Sequence, residues 1–426
     1  MANIIDYLKW RGDLVVGERQ FNDVDNVILA TLSYIDFTGI VPGPEGGSIS
    51  IKDACNRVME LTDGDLKKRV KSLAKLDAAF PRWLSQSRRY CHMMLHDYVD
   101  NLDTSRSLQF AALQIDISPT ATYVSFRGTD STFVGWREDF MLSFTVTQAQ
   151  KEAAAYLERA LWKAKNEGRT IYVGGHSKGG NLAVYAVLTC PQELRPLVTC
   201  VWNNDGPGFA PEIMPDSPYS QLGSHYKRIV PAYDMVGILF ERDDDPRIVS
   251  MSSASTALQH DPFTWKVTPT GIDVTKDLAT DSKLMKNAIQ NWISGVQLEQ
   301  RASFVDELFD ALEASGAQNM VDLVGDTQAL KKTFAAIDDM DVATKSLLVS
   351  LVGSMLSSTV DAATTAAQVT ANAALQTARG WVDEWVCNNG KQLTKDTRKS
   401  FEAMIKERQA KDREAKERAF KKTLGR

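Results

Sequence analysis

The sequence predicts an α/β fold: a mainly parallel sheet with helices on both faces, followed by an all-helical C-terminal extension. Three observations predict it. β-rich runs alternate with helical runs between Phe110 and Asp234. A glycine-rich turn, "GGHSKGG" over Gly174–Gly180, sits between an apolar run and a helix-forming run. After about residue 275 the strand signals stop, and Ala, Leu, Glu and Lys take over in helical patterns. Strand–helix alternation implies parallel strands, because a right-handed crossover brings the chain back onto the same sheet.

Each element has its own signal. Residues 22–80 alternate apolar helical patterns with polar breaks, and "NDVDNVILATLSYIDF" opens on the cap-type residue Asn22. The region to about residue 105 is therefore expected to be helical. "FAALQID" and "ATYVSFRG", separated by "ISPT", predict a hairpin. "QAQKEAAAYLERALWKAKNEG" predicts a helix closed by Gly168. "TIYVGG" predicts a strand, and "NLAVYAVLTC" a helix stopped by Pro191. "LVTCVWNN" and "HYKRIVPAYD" predict two more strands. A boundary near "TPTGIDVTKD" divides the chain into residues 1–275 and 276–426.

Composition sets the class. A chain of 426 residues, 43% hydrophobic and 24% charged, suits a folded soluble protein of two domains, or of one large domain with additions. Five cysteines are scattered with no CxxC pair, which suits reduced thiols in a cytoplasm. The opening "MANIIDYLKWRGDLVV" lacks the apolar core of a signal peptide, and no 18-residue apolar run reads as a membrane span. The net charge is −5. From Lys391 onward 13 basic residues meet 6 acidic ones, a tail of +7, so the rest carries about −12.

Gly175-His176-Ser177-Lys178-Gly179 fits G-x-S-x-G. A serine on a tight strand-to-helix turn is strained, and the residues two before and two after it crowd each other, so both are small. The helix N-terminus then aims backbone N–H groups at the same spot, which suits an oxyanion. The pattern is expected to be the nucleophile turn of an α/β-hydrolase fold rather than a plain glycine-rich turn. The nucleophile needs a base, and the chain order in this fold is serine, acid, histidine. Among His92, His96, His176, His225 and His260, His260 in "QHDPFTW" suits that order best. Asp234, at the end of "RIVPAYD", is the expected acid. Asp205 in "NNDGPGF" also follows a strand and is the rival.

"VSFRGTDSTFVGWREDF" together with "GGHSKGG" resembles the class 3 lipases. The resemblance implies that the backbones of Thr129 and Lys178 form the oxyanion hole. By their own spacing Trp136 and Asp139 are expected to be structural supports that anchor a loop, and Arg127 a buried partner beneath the oxyanion loop. Lys178 stands where those enzymes carry an apolar residue, and a solvated side chain is expected there. The opening "DYLKWRGDL…FNDVDNVILATLSYIDF" is more similar still to a bacterial lipase-like family of unknown function, the Mbeg type, over roughly residues 1–275.

The expectation is a cytoplasmic serine hydrolase of carboxylic esters, with a lipid acyl ester as one substrate class and no cofactor or metal. A non-catalytic membrane-surface or interaction protein, and an acyltransferase with the same triad, are the alternatives. His92 and His96 lie one helical turn apart in "CHMMLH", but the glutamate of a zinc motif is missing, so a packed helix face is expected. Residues 346–378 hold one charge, Asp361. They suit burial in a bundle or oligomer, or contact with a lipid surface aided by the basic tail. The tail has no interleaved aromatics, so nucleic acid is not an expected partner.

Overall fold

The computed structural model describes residues 2–279 except 73–75, 104, 106–107, 130–136, 139–140, 143–144, 211, 215–217, 235, 238–239, 241–244 and 252–259. Beyond 279 it describes residues 301, 305–306, 309–310 and 332. Residues 346–378 and the basic tail lie outside the described residues.

Four helices lie in the N-terminal part: α1 (Ile4–Arg11), α2 (Asp23–Leu32), α3 (Ile51–Thr62) and α4 (Phe80–Gln86). One sheet holds eight strands in sequence order. Strands β1 (Ile49–Ser50), β2 (Met94–Asp103), β3 (Leu108–Ser118) and β4 (Ala121–Phe126) pair antiparallel. From β4 the sheet continues in parallel through β5 (Thr170–His176), β6 (Val198–Asn204), β7 (Tyr226–Pro231) and β8 (Arg247–Val249). Helix α5 (Gln148–Glu167) joins β4 to β5, and α6 (Lys178–Thr189) joins β5 to β6. β9 (Val267–Thr268) and β10 (Gly271–Ile272) form a separate ribbon.

Strands added in one direction through right-handed crossovers put their helices on one face of the sheet. α5 and α6 accordingly pack on one face, where Val124, Phe126, Ile171, Val173 and Val201 meet Tyr156, Leu157, Leu182 and Val187. The other face would be bare without the N-terminal helices. There Tyr123, Cys200, Trp202 and Ile229 join a core with Ile4, Leu8, Val27, Ile28 and Leu84. The mainly parallel sheet, covered on both faces and turned at a serine between β5 and α6, is an α/β-hydrolase fold.

Local chemistry sets the helices that matter for the site. Thr147 and Gln150 form a capping box at the start of α5, and Gly168, at φ 66, ends it. Ala149, Ala153, Tyr156, Leu157, Ala160, Leu161 and Ala164 line its buried side at helical spacing. α2 is buried along its whole length, and its acidic residues are paired. Asp23 accepts hydrogen bonds from Trp202 Nε1 and Lys227 at 2.9 and 3.0 Å and pairs with Arg247. Asp25 holds Arg89, whose side chain is fully buried, at 2.6 Å.

The helical expectation for residues to 105 fails at β2, and "CHMMLH" is a turn leading into a strand. Periodicity misses β2 because its register shifts between His96 and Val99, with Asp97 at φ 53, so its inward and outward positions do not alternate cleanly. His92 and His96 therefore share no helix face. His96 instead bridges Asp97 at 2.6 Å and Asp116 at 3.2 Å.

Candidate active site

Ser177 follows β5 and caps α6 with φ 58 and ψ −131. No other residue near the C-terminal end of β5 has this conformation, and an L-residue holds it only when its surroundings enforce it. The serine N–H donates to Asn204 O at 2.9 Å, and its carbonyl accepts from Gly180 N–H at 2.9 Å. Asn204 Nδ2 donates to Gly175 O at 2.9 Å, which locks the strand end from the neighbouring strand. The crowding expected across the turn is present. A Cβ on Gly175 would collide with the Gly179 carbonyl, and one on Gly179 would lie 2.9 Å from Phe126 C and 3.0 Å from Arg127 C.

His260 Nδ1 meets Asp205 Oδ2 at 2.6 Å. Asp205 directly follows β6, the strand that holds the serine turn, and its own N–H donates to Ile229 O at 2.7 Å. Its other oxygen accepts from Gly237 N–H at 3.2 Å. The preference for Asp234 as the partner of His260 is therefore corrected. Asp234 is fully buried behind Asp205, hydrogen-bonded to it, with Arg228 Nη2 at 3.9 Å. Both aspartates follow strand ends, and it is Asp205 that the His260 imidazole meets. Burial pushes the Asp205 carboxyl up to about 7, against the hydrogen bonds from Asp234 and Gly237 and the charge of Arg228.

Opposite this pair, the chain leaving β4 abuts the first turn of α6, as the contacts of Gly179 require. Arg127 is buried and makes two hydrogen bonds to Asp100, at 3.0 and 2.9 Å. Against the upward push of burial, Arg127 and Lys71 hold the Asp100 carboxyl down at about 2. Thr129, two residues on, is buried beside the turn. Trp136 and Asp139 lie outside the described residues, but Glu138 between them is described and buried. Lys178 is not solvated. Its side chain is fully buried, and its Nζ donates to Gln109 O at 2.7 Å, Gln109 Oε1 at 2.5 Å and Glu138 Oε2 at 2.9 Å.

The sequence model of the family described as Mbeg1-like matches residues 84–310, more than half of the chain. The chain belongs to the Mbeg1-like family. That match runs past residue 275 into the helical region, where Val305 and Phe309 are buried and Arg137 pairs with Asp306 at 2.5 Å. A fungal lipase in complex with an inhibitor, from work on interfacial activation in lipases, is similar in structure. It shares 14% identity over 64% of this chain and 87% of its own, with a TM-score of 0.34. No curated protein matches the sequence.

Sequence reasoning missed two supports of the Mbeg1-like site. Asn26 of α2 donates to Asn204 Oδ1 at 2.8 Å and accepts from Tyr123 Oη at 2.8 Å, so an N-terminal helix braces the serine turn from below. A polar residue in an otherwise apolar helix run was the available signal. His176 packs against His260. Its Nε2 donates to His260 O at 2.8 Å, so its Nδ1 accepts from Tyr34 Oη at 2.8 Å. Burial holds its pKa well below the usual imidazole value, and the nearby His260 lowers it further. His225 lies before β7, bonded to Thr199 O at 2.8 Å. His176, Asp205 and His260 bring one donor atom each within 4.8 Å of one another. A metal there would have to displace the hydrogen bonds that join them.

Proposed function

We propose that this protein is a serine hydrolase that cleaves carboxylic esters through an acyl-enzyme. The observation that carries this reading is the backbone of Ser177, at φ 58 and ψ −131, at the head of a helix and one strand away from a His260–Asp205 pair. Such a conformation costs about 1–3 kcal/mol, and a purely structural turn would place glycine there and avoid the strain. That cost favours an enzyme over a non-catalytic scaffold.

The chemistry follows from the groups present. The Nδ1–H of His260 donates to Asp205, which makes Nε2 the basic nitrogen. Nε2 takes the Ser177 hydroxyl proton as Oγ bonds to the acyl carbon. The carbonyl π electrons move onto oxygen, and the N–H groups of Thr129 and Lys178 receive that charge. His260 gives its proton to the leaving alkoxide as the ester C–O bond breaks. Water, deprotonated by the same nitrogen, then releases the acid and restores Ser177. Asp205 keeps its negative charge throughout and stabilises the imidazolium. A lipid acyl ester is the substrate class that the resemblance to lipases suggests.

Labelling with a fluorophosphonate probe tests the reading. The wild-type protein is expected to label and to turn over p-nitrophenyl esters, and Ser177→Ala to do neither while staying folded. Undiminished turnover by a purified Ser177→Ala variant sinks it. Added alcohol distinguishes a transferase, which would give a transesterified product in excess of free acid.

A further inference from the structure

A lysine with a fully buried side chain on the residue after the proposed nucleophile needs a physical reason. Burying an ion pair costs desolvation that its attraction rarely exceeds, and apolar residues of similar volume usually serve stability as well or better. Space filling alone therefore does not account for Lys178 and Glu138. Their connections are specific. Lys178 Nζ reaches Glu138 at 2.9 Å and both oxygens of Gln109, at the start of β3. Glu138 also accepts from Gln109 N–H at 3.2 Å and from Ala149 N–H, at the start of α5, at 3.0 Å. One carboxylate thus ties three elements to the segment that follows Thr129. A second tie runs alongside, with Gln150 Nε2 donating to Leu142 O at 2.8 Å and to Asn181 Oδ1 of α6 at 2.9 Å.

The oxyanion hole in the reading above takes its two donors from different stretches of chain, Thr129 after β4 and Lys178 at the head of α6. Neither donor's own element sets the distance between them. We propose that the Lys178–Glu138 pair is a positioning device for this hole: it holds the Thr129 segment against the first turn of α6 so that both N–H groups converge on one oxygen. The inference rests on the hydrolase reading. It makes Lys178 act twice, with its backbone as a donor and its side chain as the clamp that places the other donor. Donors that miss by about 1 Å can lose on the order of 10²-fold in rate, while ground-state binding changes little.

The test compares Lys178→Met, Glu138→Gln and the double variant, all in the full-length chain. Each single change leaves a buried group without its partner and can fail to fold. The double variant removes both charges at nearly constant volume, and its Gln oxygen still accepts from Ala149. It is expected to melt within a few degrees of wild type and to bind the product acid normally. Its kcat for a small ester should fall roughly 10- to 100-fold with KM within about 3-fold, and its fluorophosphonate labelling rate and affinity for a boronic acid should fall in parallel. A folded double variant with kcat, labelling and boronate affinity within 3-fold of wild type overturns the inference and leaves the pair a structural one. A wild-type protein that neither labels nor hydrolyses esters removes the hydrolase reading, and the inference with it.

Discussion

Asp205 and Asp234 show how two like residues part at the scale of a side chain. Two buried carboxyls in contact cannot both ionise cheaply, so one keeps a proton and donates it to the other. Asp205 faces His260, so Asp234 is assigned the donor's part. Asp205→Asn is expected to lower kcat by about 10⁴, because the imidazole loses the anion that orients it. Asp234→Asn should cost far less, and the reverse ranking would return the acid's role to Asp234. The pH dependence has a definite sign. Asp205, pushed up to about 7, must shed its proton before it can stabilise the imidazolium, so kcat/KM should rise with pH through about 7. Among the described residues, Asp234, Arg228 and His176 are other titratable or charged groups near Asp205. Asp234→Ala removes a hydrogen bond that lowers the Asp205 pKa, so the rising limb should move to higher pH, and Asp234→Asn, which keeps a donor, should move it less. A pH–rate profile of the three proteins reads this directly.

At the scale of elements, the serine turn works because β4, β5, β6 and α6 approach at backbone distance. Gly175 and Gly179 lie at the crossing, and their missing side chains would meet backbone atoms that no rotamer change can move aside. Gly175→Val and Gly179→Val are each expected to abolish soluble expression or activity, and normal yield with normal turnover would contradict the crowding. α2 adds a support from the opposite face. Asn26→Leu strips partners from Asn204 and Tyr123, both buried, and should cost about 1–3 kcal/mol in urea unfolding, with some loss of turnover. An unchanged midpoint would show that Asn26 is not a brace. Strand β2 belongs to this scale too: its bulge hid it from a period-based reading, whereas β3 to β7 were legible as short β-rich runs between turn residues.

At the scale of the whole molecule, the N-terminal helices complete the hydrophobic core, because among the described residues the crossover helices α5 and α6 lie on the other face. Among the described residues no helix is long and apolar enough to cross a membrane. The stretch 346–378, with its single charge, and the +7 tail remain a proposed lipid contact. Basic residues near an anionic surface contribute about 1 kcal/mol each, offset in part by the six acidic residues among them. The full-length protein is expected to sediment with anionic vesicles at low salt and release at high salt. A chain ending at residue 340 keeps Val305 and Phe309 and should bind less while still cleaving small esters. No binding by the full-length protein at low salt rules out the membrane role.

The fold class and the strand–serine–helix turn were determined by the sequence alone. These are local matters: apolar period, capping residues, and glycines that only a crowded turn requires. The tertiary structure decided which carboxylate meets His260, because Asp205 and Asp234 both follow strands and only the folded chain distinguishes them. It also decided that Lys178 is buried, since its partners Gln109 and Glu138 come from a strand and a helical turn far away in sequence. Side-chain type and spacing carry the local rules, but partners some 40 to 70 residues apart meet only when the sheet has assembled and closed around them.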